Sequence, residues 1–219
     1  MPIVAVALVL LFVAAQPCQA VPLAPGTAVA AVAEPDPGIG ANLLFSTGVV
    51  PFTAPTYTGD LTSQVFNNDP SNPFGPNGLT FTYLLHNNAS SAHELHRFTV
   101  SSFAAFGTDV SYSSFSVGVP PTFIDRGLPG DVVGFNYPTP VPQILISNGS
   151  IGPGQTSSLM VIQTNAVNFS GTLAAVIDGS VTMVASLAPA PIIPEPGSLV
   201  LAGISVLGLA AVCWRKRRR

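Results

Sequence analysis

Along residues 79–86, LTFTYLLH, apolar and polar positions alternate, which places Leu79, Phe81, Tyr83 and Leu85 on one face of an extended chain and Thr80 and Thr82 on the other. This is the period of a strand in a half-buried sheet. Comparable stretches at 42–50, 95–103, 110–117, 131–137, 143–147, 157–164, 172–178 and 181–187 predict eight or nine strands in all. Turn chemistry separates them, in Gly75-Pro76-Asn77-Gly78, Pro129-Gly130-Asp131, Asn148-Gly149, Pro153-Gly154 and Asp178-Gly179. No stretch in this region carries a convincing 3.6-residue amphipathic period, so the expected fold is all-β, an antiparallel β-sandwich. The strands share no internal repeat.

The two ends read differently. Residues 3–15 form an apolar run, followed by Pro17 and by Cys18-Gln19-Ala20. Small residues three and one positions before Val21 fit a signal-peptidase cut between Ala20 and Val21, so residues 1–20 are expected to be a signal peptide. No Lys or Arg precedes the run, which leaves the amino terminus as the source of positive charge there. At the other end, residues 198–214 hold seventeen positions without a charge. As a helix they would extend about 25 Å, enough for a bilayer core. Trp214 follows as an interfacial aromatic, and Arg215, Lys216, Arg217, Arg218 and Arg219 would hold the tail on the cytoplasmic side. A C-terminal transmembrane helix with an outward-facing domain is the expectation.

Between these ends lie a flexible lead-in at 21–41, a β-sandwich ectodomain at 42–187 and a Pro-rich linker at 188–193, followed by the terminal signal at 194–219. Composition narrows the class of partner. Five of the seven basic residues sit in the tail, and only Arg97 and Arg126 face nine carboxylates between 21 and 194. A surface of that sign does not bind nucleic acid, because phosphate neutralisation needs clustered Lys and Arg. Both cysteines, Cys18 and Cys213, lie in the terminal apolar segments, so no disulfide is available to the central domain. That pattern suits a larger bacterial exported β domain.

The residues ahead of the apolar span are Pro194, Glu195 and Pro196. Two prolines hold the triplet extended and delay the helix until after Pro196. A Pro-Glu-Pro triplet, a short apolar helix and an Arg-rich terminus, in that order, resemble the PEP-CTERM sorting signal of Gram-negative bacteria. The resemblance covers 194–219. It implies recognition by an exosortase, a membrane cysteine transpeptidase-like enzyme, with Glu195 as part of the recognition element. The chain would then pass through an inner-membrane intermediate and finish at the cell surface or in the extracellular matrix. Residues 153–162 also loosely resemble a core strand of exported domains that carry this signal.

Candidate chemistry inside the domain is sparse. His93-Glu94-Leu95-His96 falls one residue short of the H-E-x-x-H zinc spacing, and on a strand positions 93 and 96 would point to opposite faces. Glu94 and His96 would share a face on which His86 from a neighbouring strand could complete a metal site, although solvated polar groups explain them more simply. The aspartates are dispersed among turns without a calcium-loop pattern. There is no G-x-S-x-G elbow. Three N-x-S sequons, at Asn88, Asn148 and Asn168, are what chance gives in an Asn- and Ser-rich chain. Phe103, Phe106, Phe115, Phe123, Phe135 and Tyr137 are expected in the core rather than on a sugar-binding face. The sequence thus predicts a non-catalytic structural or interaction ectodomain without a cofactor. An alternative is a carbohydrate-binding module directed to extracellular polysaccharide, and an exported hydrolase ranks third.

Overall fold

The computed structural model describes residues 20–35, 39–138 and 149–191. Residues 1–19 of the expected signal peptide, the strand at 143–147 and the whole segment 194–219 lie outside these residues. Those described form thirteen strands and no helix. In chain order they are β1 (Val21–Pro22), β2 (Ala28–Ala30), β3 (Ala33–Glu34), β4 (Asn42–Thr53), β5 (Thr58–Asn67), β6 (Thr80–Asn87) and β7 (Arg97–Val100). Then come β8 (Thr108–Ser113), β9 (Phe123–Arg126), β10 (Val133–Asn136), β11 (Met160–Thr164), β12 (Phe169–Asp178) and β13 (Ser180–Pro189).

They make two sheets. One runs β1-β8-β11-β6-β5-β4, with β3 also on β8, and the other runs β13-β12-β7-β10-β9-β2. All pairings are antiparallel except β3 with β8. The all-β expectation holds, and β11, anticipated as a core strand, lies between β8 and β6.

The inward positions of both sheets merge into one core, which includes Leu61, Val65, Phe81, Tyr83, Leu85 and Met160 from the first sheet and Phe98, Phe135, Ala174 and Val176 from the second. Burying each large apolar side chain contributes about 1.5–3 kcal/mol. The Tyr83 and Phe98 rings meet across the sheets at 5.4 Å. The Tyr83 hydroxyl donates to the Leu187 carbonyl at 2.8 Å, so the ring is buried without stranding its polar end. Gly59 in β5 shows how closely the strands approach, because a Cβ there would lie 2.2 Å from the His86 carbonyl oxygen. Gly179, at φ +61°, occupies the left-handed region that the β12–β13 turn requires.

The outer face of the first sheet departs from the half-buried pattern. Thr80, Thr82, Asp109, Ser111, Ser113 and Gln163 point away from the core yet are buried. Residues 68–78 fold over part of this face. Asp69 accepts from Thr80 Oγ1 at 2.7 Å and from Gln163 Nε2 at 3.2 Å. Asn72 reaches Thr80 Oγ1 and the Thr164 carbonyl at 3.3 and 3.4 Å.

The expected flexible lead-in is corrected by these pairings. β1 and β3 pair with β8 in one sheet, and β2 pairs with β9 in the other, so residues 21–34 tie both sheets together. The Ala-, Pro- and Gly-rich composition that reads as a linker also suits short edge strands, where a proline such as Pro22 removes no needed hydrogen bond. At the other boundary Ala188 and Pro189 belong to β13, and Ala188 is fully buried, so the linker begins later than residue 188.

Candidate functional site

Polar chemistry collects in two places, and the first is built from the segment ahead of β7 and the end of β12. Residues 92 and 93 form a bend, and Leu95 bridges to Ile151 in the core. Because His93 precedes the strand, both imidazoles reach the same carboxylate, contrary to the opposite faces expected for a continuous strand. His93 Nδ1 lies 3.0 Å from Asp178 Oδ2 and His96 Nδ1 lies 2.9 Å from Asp178 Oδ1. The other nitrogen of His96 is 3.0 Å from Glu94 Oε1, and Ser150 Oγ donates to Glu94 Oε2. A neutral imidazole carries one N–H, so only the doubly protonated ring donates to both carboxylates flanking His96.

The cluster borders an open recess of about 370 Å³, lined by Ala92, His93, Glu94, His96, Pro153 and Asp178. His86 is elsewhere, with Nδ1 on Thr156 Oγ1 at 2.9 Å. The shared site imagined for His86, Glu94 and His96 is therefore not assembled. Among the described residues no group of three or more His, Cys, Asp or Glu is disposed to hold a metal ion. Ser150 is bonded to a carboxylate rather than to an imidazole, which departs from the nucleophile–base–orienter geometry of a triad. What the arrangement does visibly is fasten the β12–β13 turn to the entry of β7. Asp178→Asn is expected to cost about 1–2 kcal/mol, since one amide oxygen replaces two carboxylate acceptors, with half-exposed His93 contributing least. Urea unfolding of the two proteins measures this.

The second collection lies on β8 and its edge partners. Glu34 and Asp109 are 2% and 4% exposed. Ser111 Oγ donates to Glu34 Oε1, and Val110 N–H donates to Asp109 Oδ1 at 3.0 Å. Burial pushes the Glu34 carboxyl up to about 7, with repulsion from Asp69 and Asp109 adding to it. Burial likewise raises Asp109 to about 6. Neither has an arginine available among the described residues. Arg97 pairs with both oxygens of Asp125 at 2.7 and 2.8 Å. Arg126 spends its donors on the carbonyls of Gly130, Leu23, Phe103 and Phe106 and on Thr108 Oγ1. A recess of about 380 Å³ opens beside this acidic layer, lined by Ala20, Pro22, Pro70, Ser71, Asn72, Pro73 and Asp109. Sequence reasoning missed the layer because single carboxylates in separate segments give no local motif.

The expected aromatic core is present in part. Phe103, Phe135 and Tyr137 are fully buried, Phe106 and Phe123 are half-buried, and Phe115 is exposed.

The described ends of the domain lie beside the two segments expected to carry a signal peptide and a sorting signal. Ala20 is the first described residue and Val21 opens β1, while β13 ends at Pro189. Pro194, Glu195, Pro196, Trp214 and the basic tail lie outside the described residues. Among those described, no helix is long and apolar enough to cross a membrane. No curated protein and no solved structure matches the chain. A family model does match residues 193–219, four residues beyond the last strand. By that match, the chain carries the PEP-CTERM protein-sorting motif at its C-terminal end.

Proposed function

We propose that this protein is exported, sorted by an exosortase acting at Pro194, Glu195 and Pro196, and delivered as a non-catalytic β-sandwich ectodomain to the cell surface or extracellular matrix. The carrying observation is the sorting motif at 193–219, placed just after the last strand of a domain that ends at Pro189. This spacing leaves three residues between the folded domain and the motif, with Pro191 among them. Signal peptidase acts at the other end, between Ala20 and Val21. The apolar span and basic tail hold the chain in the inner membrane while the triplet is presented.

The ectodomain's role is structural or interactive. A carbohydrate-binding role would be supported by a row of exposed rings on one sheet face. Phe45, Phe74 and Phe115 are exposed, but they belong to β4, to the segment before β6 and to the segment after β8. Phe45 is in addition 6.0 Å from the Phe169 ring.

The test places one tag in the ectodomain and another after Arg219, and follows both by cell fractionation in hosts with and without the exosortase. The proposal expects the tail tag to separate from the ectodomain tag only where the enzyme is present. Co-fractionation of both tags with the membrane in both hosts would leave a permanent single-pass anchor instead.

A further inference from the structure

The edge of β8 is shared end to end by two strand segments. Val21 and Pro22 lie opposite Val110 and Asp109, while Ala33 and Glu34 lie opposite Tyr112 and Ser113. Only the place beside Ser111 remains between them. The Glu34 side chain turns back over this junction, where it accepts from Ser111 Oγ and from the Ala20 main-chain N–H. Residues 109, 111 and 113 alternate onto one face, so Asp109, Ser111 and Glu34 meet where the leader would depart.

A buried carboxylate normally has a cationic partner or sheds its charge. No lysine occurs between residues 21 and 194, and the region's two arginines are committed to Asp125 and to main-chain carbonyls. One cation is still to come. Hydrolysis of the Ala20–Val21 peptide bond places OH on the Ala20 carbonyl carbon and H on the Val21 nitrogen, and the new amine takes a proton from solvent. The Ala20 donor then leaves, and an ammonium arises one residue further on, beside a recess that Ala20 had lined.

We propose that the α-ammonium of Val21, created by signal-peptide removal, pairs with Glu34 and Asp109 and so locks β1 onto the edge of β8. The latch rests on the export reading above, specifically on a cut before Val21. It makes leader removal the last step in completing the fold, because the charge that the acidic layer lacks is absent until the leader has gone.

Val21 would then carry the only primary amine outside the C-terminal tail, since Lys216 is the sole lysine. The test uses the protein exported by its host and recovered as it stands. Its first residue is identified by mass spectrometry, and acetylation of the amine by an N-hydroxysuccinimide ester at pH 7 is followed by peptide mass. A paired α-amine stays protonated above its ordinary pKa of about 8, and each unit of elevation slows acylation about tenfold. Wild-type protein is expected to begin at Val21 and to acetylate about tenfold more slowly than Glu34→Gln. Equal rates with Val21 as the first residue overturn the latch and leave export intact. A different first residue overturns both the latch and the cut on which it rests. Should Glu34→Gln fail to fold, wild-type protein modified in denaturant and refolded decides the matter. Dimethylation, which keeps the charge, is expected to leave the unfolding midpoint unchanged, and acetylation to lower it. Equal midpoints overturn the latch.

Discussion

Arg126→Met is expected to destabilise the domain by about 3 kcal/mol, a fall of roughly 6–12 °C in melting temperature for a fold of this size. Arg126 is buried in β9, and none of its five acceptors is a carboxylate. Its guanidinium gathers Leu23 after β1, Phe103 and Phe106 before β8, and Gly130 in the β9–β10 turn, at 2.6–3.0 Å. Met fills a similar volume but leaves the Gly130 and Phe106 carbonyls without their side-chain donor. Leu23 and Phe103 suffer less, because Thr108 Oγ1 and the Phe106 N–H also bond to their carbonyls. Arg126→Lys is expected to recover little, since one ammonium cannot reproduce a planar fork that reaches three separate segments. Calorimetric melting of the three proteins measures both effects.

With the leader still attached, in protein expressed without export, stability is expected to fall as pH rises from 4.5 to about 7. The folded-state value of Glu34 is raised above its ordinary 4.5 to about 7. In that interval the native state therefore binds more protons than the unfolded chain, and rising pH favours unfolding. The contribution is fully present below the unfolded value and is lost as pH passes the folded one. A shift of this size corresponds to about 3 kcal/mol. Asp109 acts with the same sign between 3.8 and about 6. The two do not sum, because neutralising one relieves the other. Glu34→Gln should remove most of the slope, as Gln keeps an oxygen for Ser111 and carries no charge into the buried site. Urea midpoints at pH 5 and pH 8 for the two leader-bearing proteins check it. Free Val21 is expected to flatten the same slope in the exported protein.

The parts of the fold legible in the sequence are those where side-chain alternation and burial coincide. β6 announces itself because every second residue from Leu79 to Leu85 is a large apolar group in the core. β5 does not, since its inward positions are Gly59, Leu61, Ser63 and Val65, and the glycine and serine interrupt the apolar period. β9 is four residues long and carries a buried arginine, which reads as a surface residue until its acceptors are seen. Residues 21–34 read as a linker because Ala and Pro dominate them, and their strands exist only through partners on β8 and β9 that are distant in sequence.

Sites followed the same rule. The sorting motif is contiguous, so its order of triplet, apolar span and basic tail is visible directly. The His93, His96 and Asp178 cluster and the Glu34 and Asp109 layer are assembled by pairings between distant strands, and no local spacing announces them. The two histidines of the near-match to H-E-x-x-H do come together, at the carboxylate of Asp178. The bend at residues 92 and 93 brings both imidazoles to a carboxylate from β12, an arrangement that serves the hairpin.

The intact mass of the protein recovered from the cell surface of its host tests export with processing at both ends. The expected chain begins at Val21 and ends within 194–198, without the apolar span or the basic tail. A mass that retains Trp214 and the five basic residues after it would contradict the account.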